Sequence, residues 1–196
     1  MNICVFSSSS NGIDDLYFEE AKRLGRLIGE RGHTLVNGGA NIGLMEAVTV
    51  SASAAGARTI GIIPERMIRR SLASVNLHET ISVKSIKERK ARMREISDAF
   101  IALPGGFGTL EEILEVIALK QMAYHAKPVV FINTGNFFNH LFNHFEYAYS
   151  KKFTKEVYRE LYFSAGTPEE ALNYIRDYKP IELSSHWFVV PGKSDF

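Results

Sequence analysis

Short apolar runs recur along the chain at residues 2–6 (NICVF), 33–37 (HTLVN), 58–63 (RTIGII), 99–103 (AFIAL) and 127–133 (KPVVFIN), with a weaker one at 160–164 (ELYFS). They do not alternate polar with apolar residues, as befits strands covered on both faces. Amphipathic stretches of helical period separate most of them. The pattern predicts an α/β fold: a Rossmann-like, doubly wound parallel sheet with helices on both faces. The first helix is expected over residues 14–31, where Tyr17, Ala21, Leu24 and Ile28 share a stripe and Gly32 offers a left-handed stop. Another is expected over 168–178, opened by Thr167, Pro168 and Glu170 in a capping box. Residues 64–85 carry mixed charge without a strong period and predict an irregular connection with one short strand near HETISV. The tail SSHWFVVPGKSDF has no readable function.

Length and charge narrow the classes. The 196 residues fit one domain spanning 1–196. With 23 Lys+Arg against 22 Asp+Glu there is no overall pull toward nucleic acid or an acidic membrane. Cys4 is the single cysteine, which excludes an internal disulfide and a thiolate metal cluster and fits a reducing cytoplasm. The first residues lack a signal-peptide pattern and no run is long enough to span a bilayer, so a cytoplasmic protein is expected.

Candidate chemistry gathers in three loops, each following a predicted strand: FSSSSNG, NGGANIG and PGGFGT. Ligands of open parallel sheets bind beyond the carboxyl ends of the strands, and glycine lets backbone amides approach a phosphate there. Each loop alone is ordinary turn chemistry, but together they point to a nucleotide or sugar phosphate. Neither dinucleotide nor P-loop spacing is complete, since Glu111 stands where the third glycine of G-x-G-x-x-G belongs.

Two further segments carry charge in unusual places. In SIKERKARMREIS, Arg89 falls on the same side as the apolar stripe Ile86, Met93 and Ile96. Either Arg89 and Lys90 snorkel to water, or Arg89 meets an anion in a cleft. In PGGFGTLEE, Thr109 and Glu112 have capping-box spacing. Glu112 also heads a stripe with Val116, Leu119 and Ala123, separate from an expected sheet-facing stripe of Leu110, Ile113, Leu114 and Ile117. A helix apolar on two sides needs two covers, the second being another helix or another subunit. His140 and His144 are four apart, but their aromatic surroundings favour packing over a metal site.

PGGFGTLEE matches P-G-G-x-G-T-x-x-E, and with ERKARM, VFSSSSNG, LVNGGANIGLME and GIIP it resembles the LONELY GUY family, cytokinin-activating phosphoribohydrolases once labelled possible lysine decarboxylases. The likeness runs from about residue 3 to 180. It implies that Arg89 and Glu112 are a catalytic pair and that Gly105, Gly106, Gly108 and Thr109 form a phosphate loop. Ser9, Gly38, Gly39 and Lys90 complete the expected substrate contacts. The family also implies a homodimer or larger homo-oligomer and no metal or redox cofactor. Ser7 and Ser8 depart from its Cys-Gly pair, Asn37 and Ala40 from Tyr and Gly, Glu46 from Gly, and Ile86-Lys87 from Met-His. The implied reaction is hydrolysis of the N-glycosidic bond of a purine nucleoside 5′-monophosphate. The alternatives are a non-catalytic carrier of a nucleotide or phosphorylated cofactor and, less favoured, a decarboxylase whose required lysine no motif marks.

Overall fold

The structure, a computed structural model, describes residues 1–180; the tail segment singled out above lies outside the described residues. Seven strands among them form one parallel sheet: β1 (Asn2–Phe6), β2 (Thr34–Asn37), β3 (Thr59–Pro64), β4 (Glu79–Val83), β5 (Ala99–Ala102), β6 (Val129–Ile132) and β7 (Phe163–Ala165). Their order is β4-β3-β2-β1-β5-β6-β7. The winding reverses between β1 and β5, which pair with Cys4 opposite Phe100. That reversal opens a crevice at the carboxyl ends of the two strands.

Helices α1 (Asp15–Glu30), α2 (Gly43–Ala54) and α7 (Pro168–Asp177) cover one face, burying Leu24, Ile28, Val48 and Ile175 with Ile3 and Val5 of β1. The other face, built around Cys4, Phe6, Phe100 and Phe131, lies under α4 (Ile86–Ile96), α5 (Phe107–Gln121) and α6 (Asn139–Ser150). Successive β1 side chains point to opposite faces, and both are dry, which explains the unbroken apolar run. The α1 stripe and its stop are as expected, with Gly32 left-handed at φ 69°. In α7, Thr167 Oγ1 accepts the Glu170 amide at 3.2 Å, while the Glu170 carboxylate accepts from the Gly166 amide rather than from Thr167.

Three expectations are corrected. The weak run at 160–164 is mostly not strand: Glu156–Leu161 forms a 3-10 turn, and only Phe163–Ala165 pairs with β6. Tyr158 and Leu161 are drawn down into a small cluster with Tyr149, which bends the chain before the strand begins. Residues 64–85 are more ordered than expected, with a short helix α3 (Glu65–Ile68), an Ala40–Ala73 bridge and β4.

The third correction concerns α5, which starts at Phe107 on an extended Gly106, three residues earlier than capping by Thr109 requires. Thr109 is therefore inside the first turn, and no Thr109–Glu112 capping box forms. The helix is also rotated from the expected setting. Thr109, Glu112, Ile113, Val116 and Lys120 are the buried line, while Leu110, Leu114 and Ile117 are only half-buried. Two polar members of the buried line find partners inside, Glu112 on Arg89 at 2.9 Å and Lys120 on the Leu161 carbonyl at 2.9 Å.

Candidate active site

The β1, β2 and β5 loops converge on a cleft of about 450 Å³ at the switch point. Its floor is an ion pair. Arg89, reaching in from α4, donates through Nη1 to Glu112 Oε1 at 2.9 Å and through Nε to the Ile62 carbonyl at 3.0 Å. Both side chains are nearly enclosed, at 13% and 10% exposure. The inward setting of Arg89 is thus fixed by two elements, the end of β3 and the second turn of α5.

Gly38 makes room for that arginine. A Cβ there would stand 1.8 Å from Arg89 Nη2 and 2.9 Å from Cζ, closer than atoms can approach. Burial holds the Glu112 carboxyl above the usual carboxylate range, with the Arg89 guanidinium pulling in the opposite direction. The pair therefore sets a carboxylate of elevated proton affinity beside a fixed cation at the base of a semi-enclosed space.

One helix start faces this space uncapped. The α5 amides of Phe107, Gly108 and Thr109 precede the first intrahelical bond, from Leu110 N–H to the Gly106 carbonyl, and no side chain caps them. The start of α2 is already occupied. Its Gly43 amide donates to Asn11 Oδ1 at 2.8 Å and its Leu44 amide to the Ser8 carbonyl at 3.0 Å, the close approach requiring Gly43 at φ 61°. Ser85 Oγ caps α4 by accepting the Glu88 amide. Free amides and helix dipole combine at α5, the place for an anionic group.

The family described as "Possible lysine decarboxylase" matches residues 45–175. A cytokinin riboside 5′-monophosphate phosphoribohydrolase of Arabidopsis thaliana is 39% identical over 95% of this chain and 84% of its own. The corresponding enzyme LOG of Oryza sativa subsp. japonica is 39% identical over 91% and 74%. The chain belongs to this LONELY GUY family. In fold it is also similar to the molybdenum cofactor binding protein of Rippkaea orientalis (TM-score 0.68, 24% identity, 89% of this chain and 94% of that one). A similar likeness holds to the molybdenum cofactor carrier protein of Chlamydomonas reinhardtii (TM-score 0.67, 20% identity, 89% and 95%).

Of the residues that the LONELY GUY resemblance singles out, Arg89, Glu112, Ser9, Gly38, Gly106, Gly108 and Thr109 line the cleft together. Gly39 and Gly105 stand behind its wall. Gly39, at φ 71°, is pressed on Gly61 and its carbonyl accepts from the Ser74 amide, while the space a Gly105 side chain would need is filled by Thr109 Oγ1. Lys90 is not in the cleft: it turns outward to pair with Glu111, and with Glu115 at 3.3 Å. Its position next to Arg89 puts it about 100° around the helix, which is why it cannot share the inward setting. Lys90→Ala is accordingly expected to change kcat/KM for a cleft substrate by less than roughly threefold, since Lys90 does not line the cleft and an ion pair to the exposed Glu111 holds little energy. Steady-state kinetics of that variant checks this.

Sequence reasoning missed the apolar walls, Ile42, Met45, Met67 and Phe107, which no periodic pattern marks. It also left Asn37 and Glu46 as bare departures from the family pattern. Asn37 is buried, bonding Thr49 Oγ1 at 2.8 Å and accepting the Gly39 amide, and Glu46 accepts from Asn76 Nδ2 at 2.8 Å. Asn37 thereby braces the β2 loop, and Glu46 ties α2 to the segment before β4. Among the described residues no three His, Cys, Asp or Glu side chains come together as a metal cage, and His140 and His144 are exposed on α6.

Proposed function

We propose that this chain hydrolyses the N-glycosidic bond of a purine nucleoside 5′-monophosphate, N6-substituted adenine included, releasing free base and ribose 5-phosphate. The observation that carries this reading is the Arg89–Glu112 pair at the floor of the cleft, one helical turn from an uncapped helix start. The 5′-phosphate docks on the α5 amides and the Thr109 hydroxyl. Its binding then holds the anomeric carbon over Glu112. As the C–N bond breaks, its electron pair leaves with the base and the ribose takes on oxocarbenium character, which the carboxylate stabilises. Water adds to the anomeric carbon from the open side of the cleft, and the departing base takes up a proton. Arg89 holds Glu112 in the ionised form against the cost of burial.

No lysine lines the cleft among the described residues, which removes support for Schiff-base chemistry there. The same reading includes assembly as at least a homodimer. Half-buried Leu110, Leu114 and Ile117 on α5, with Phe107 almost fully exposed at the cleft mouth, support it. Among the described residues no helix is long and apolar enough to cross a membrane. The proposal includes a cytoplasmic setting, which the buried thiol of Cys4 supports.

The test is chromatographic detection of base released from AMP, GMP, CMP and N6-prenyl-AMP. Adenosine, which lacks the phosphate anchor, is expected to react at least about 10²-fold more slowly in kcat/KM than AMP, because remote binding energy positions the scissile bond. Equal rates for AMP and adenosine would remove the α5 amides from the mechanism. Tight binding of AMP without release of base would make the chain a carrier.

A further inference from the structure

Ser7 is the residue that follows β1, and it is 7% exposed. It lines the cleft, yet its hydroxyl has no hydrogen-bond partner. A buried hydroxyl left unpaired is unfavourable for the free protein and calls for a reason at this position. The neighbouring serines are used differently. Ser8 Oγ accepts the Ser10 amide at 3.0 Å and Ser10 Oγ the Gly12 amide at 3.2 Å, both shaping the loop.

The sheet order says which part of a nucleotide Ser7 meets. Along the carboxyl edge, β1 stands between β5, whose loop leads to the uncapped α5 start, and β2 and β3, which are followed by Ile42, Met45 and Met67. The anion belongs at the first end, where the free amides are, and the flat, largely apolar base at the second. What lies over β1 is then the sugar. Its hydroxyls both donate and accept, and a serine hydroxyl does the same.

We propose that Ser7 is a substrate-binding residue whose unpaired hydroxyl hydrogen-bonds a ribose hydroxyl of the bound nucleotide, so that it reads ribose against deoxyribose. This rests on the nucleotide reading of the cleft given above. It assigns a role to a position at which this chain departs from the family's Cys-Gly pair.

The experiment measures equilibrium binding of AMP, 2′-deoxy-AMP and 3′-deoxy-AMP by calorimetry in Glu112→Gln protein, with and without Ser7→Ala. One of the two deoxy nucleotides is expected to bind about tenfold more weakly than AMP when Ser7 is present, the size of one hydrogen bond. Ser7→Ala is expected to close that gap by weakening AMP alone. Its melting temperature should hold, because no protein hydrogen bond is lost; Ser7→Cys, nearly the same size, should close most of the gap as well. A gap that survives both substitutions, or no gap for either deoxy nucleotide, overturns the assignment. Base release from AMP by protein with Glu112 intact is read separately. If that persists, the failure belongs to Ser7 alone; if AMP neither binds nor reacts, the nucleotide reading itself has failed.

Discussion

Gly38→Ala is expected to lower kcat/KM by on the order of 10²-fold or more, although Gly38 donates no side chain to the reaction. The added methyl would overlap Arg89 Nη2 and also stand 3.1 Å from Met45 Sδ, so the guanidinium must leave its seat. In leaving, it gives up the bonds to Glu112 and to the Ile62 carbonyl. Gly38 is not among the residues of positive φ, so alanine brings no backbone strain of its own, and the fold should survive. The control is a double-mutant cycle with Arg89→Ala. Once Arg89 has been shortened, Gly38→Ala should add little, because both changes remove the same interaction. Additive losses would mean that Gly38 acts by touching substrate instead.

Glu112→Gln should lose on the order of 10²-fold or more in kcat, the scale of a removed electrostatic contact to the transition state, while the protein stays folded. The amide oxygen can still accept from Arg89. Folding raises the pKa of this carboxyl, so the folded chain holds the proton more tightly than the unfolded one. The linkage therefore favours the fold below the ordinary carboxylate range and turns against it as pH rises through the raised value. At neutral pH the ionised Glu112 costs stability through its burial, and the glutamine variant is relieved of that cost as it loses charge pairing with Arg89. Thermal denaturation should show a small net change. The same raised pKa places the acid limb of wild-type kcat/KM above the usual carboxylate range, since only the ionised form stabilises a cationic sugar. A limb at ordinary carboxylate pH, or a glutamine variant as fast as wild type, would take Glu112 out of the chemistry.

Much of the fold could be read in the residues. The apolar runs of β1, β2, β3, β5 and β6 needed no tertiary information, because strands dry on both faces are written as unbroken hydrophobic stretches. The facing of α5 could not be read that way. Thr109, Glu112 and Lys120 look like a solvent side in any hydropathy pattern, yet they are buried. Their partners sit far off in the chain: Arg89 is 23 residues from Glu112, and the Leu161 carbonyl 41 from Lys120. Local spacing instead favoured a capping box, and the early start of the helix on Gly106 overrode it.

The candidate site divides along the same line. Loops with serine and glycine announced where a ligand approaches, and the α4 pattern posed the right question about Arg89 without answering it. Gly38 was legible as a position that needs glycine, but the space it leaves is taken by the protein's own arginine. The walls from Met67 and Ile42 were silent, since each is a single side chain, one from the four-residue α3 and one from the loop before α2, rather than part of a repeating stripe.

The plugged start of α2 has a consequence for which metabolites fit. With Asn11 and Ser8 already seated on the Gly43 and Leu44 amides, the crevice keeps one open berth for negative charge, at α5. On the proposed reading, a compound bearing a single terminal phosphate ester would be held by its tail and laid across the sheet. On that reading a second phosphate group would find the α2 amides already taken and would share the α5 start or stay in solvent, which favours a monophosphate at this crevice.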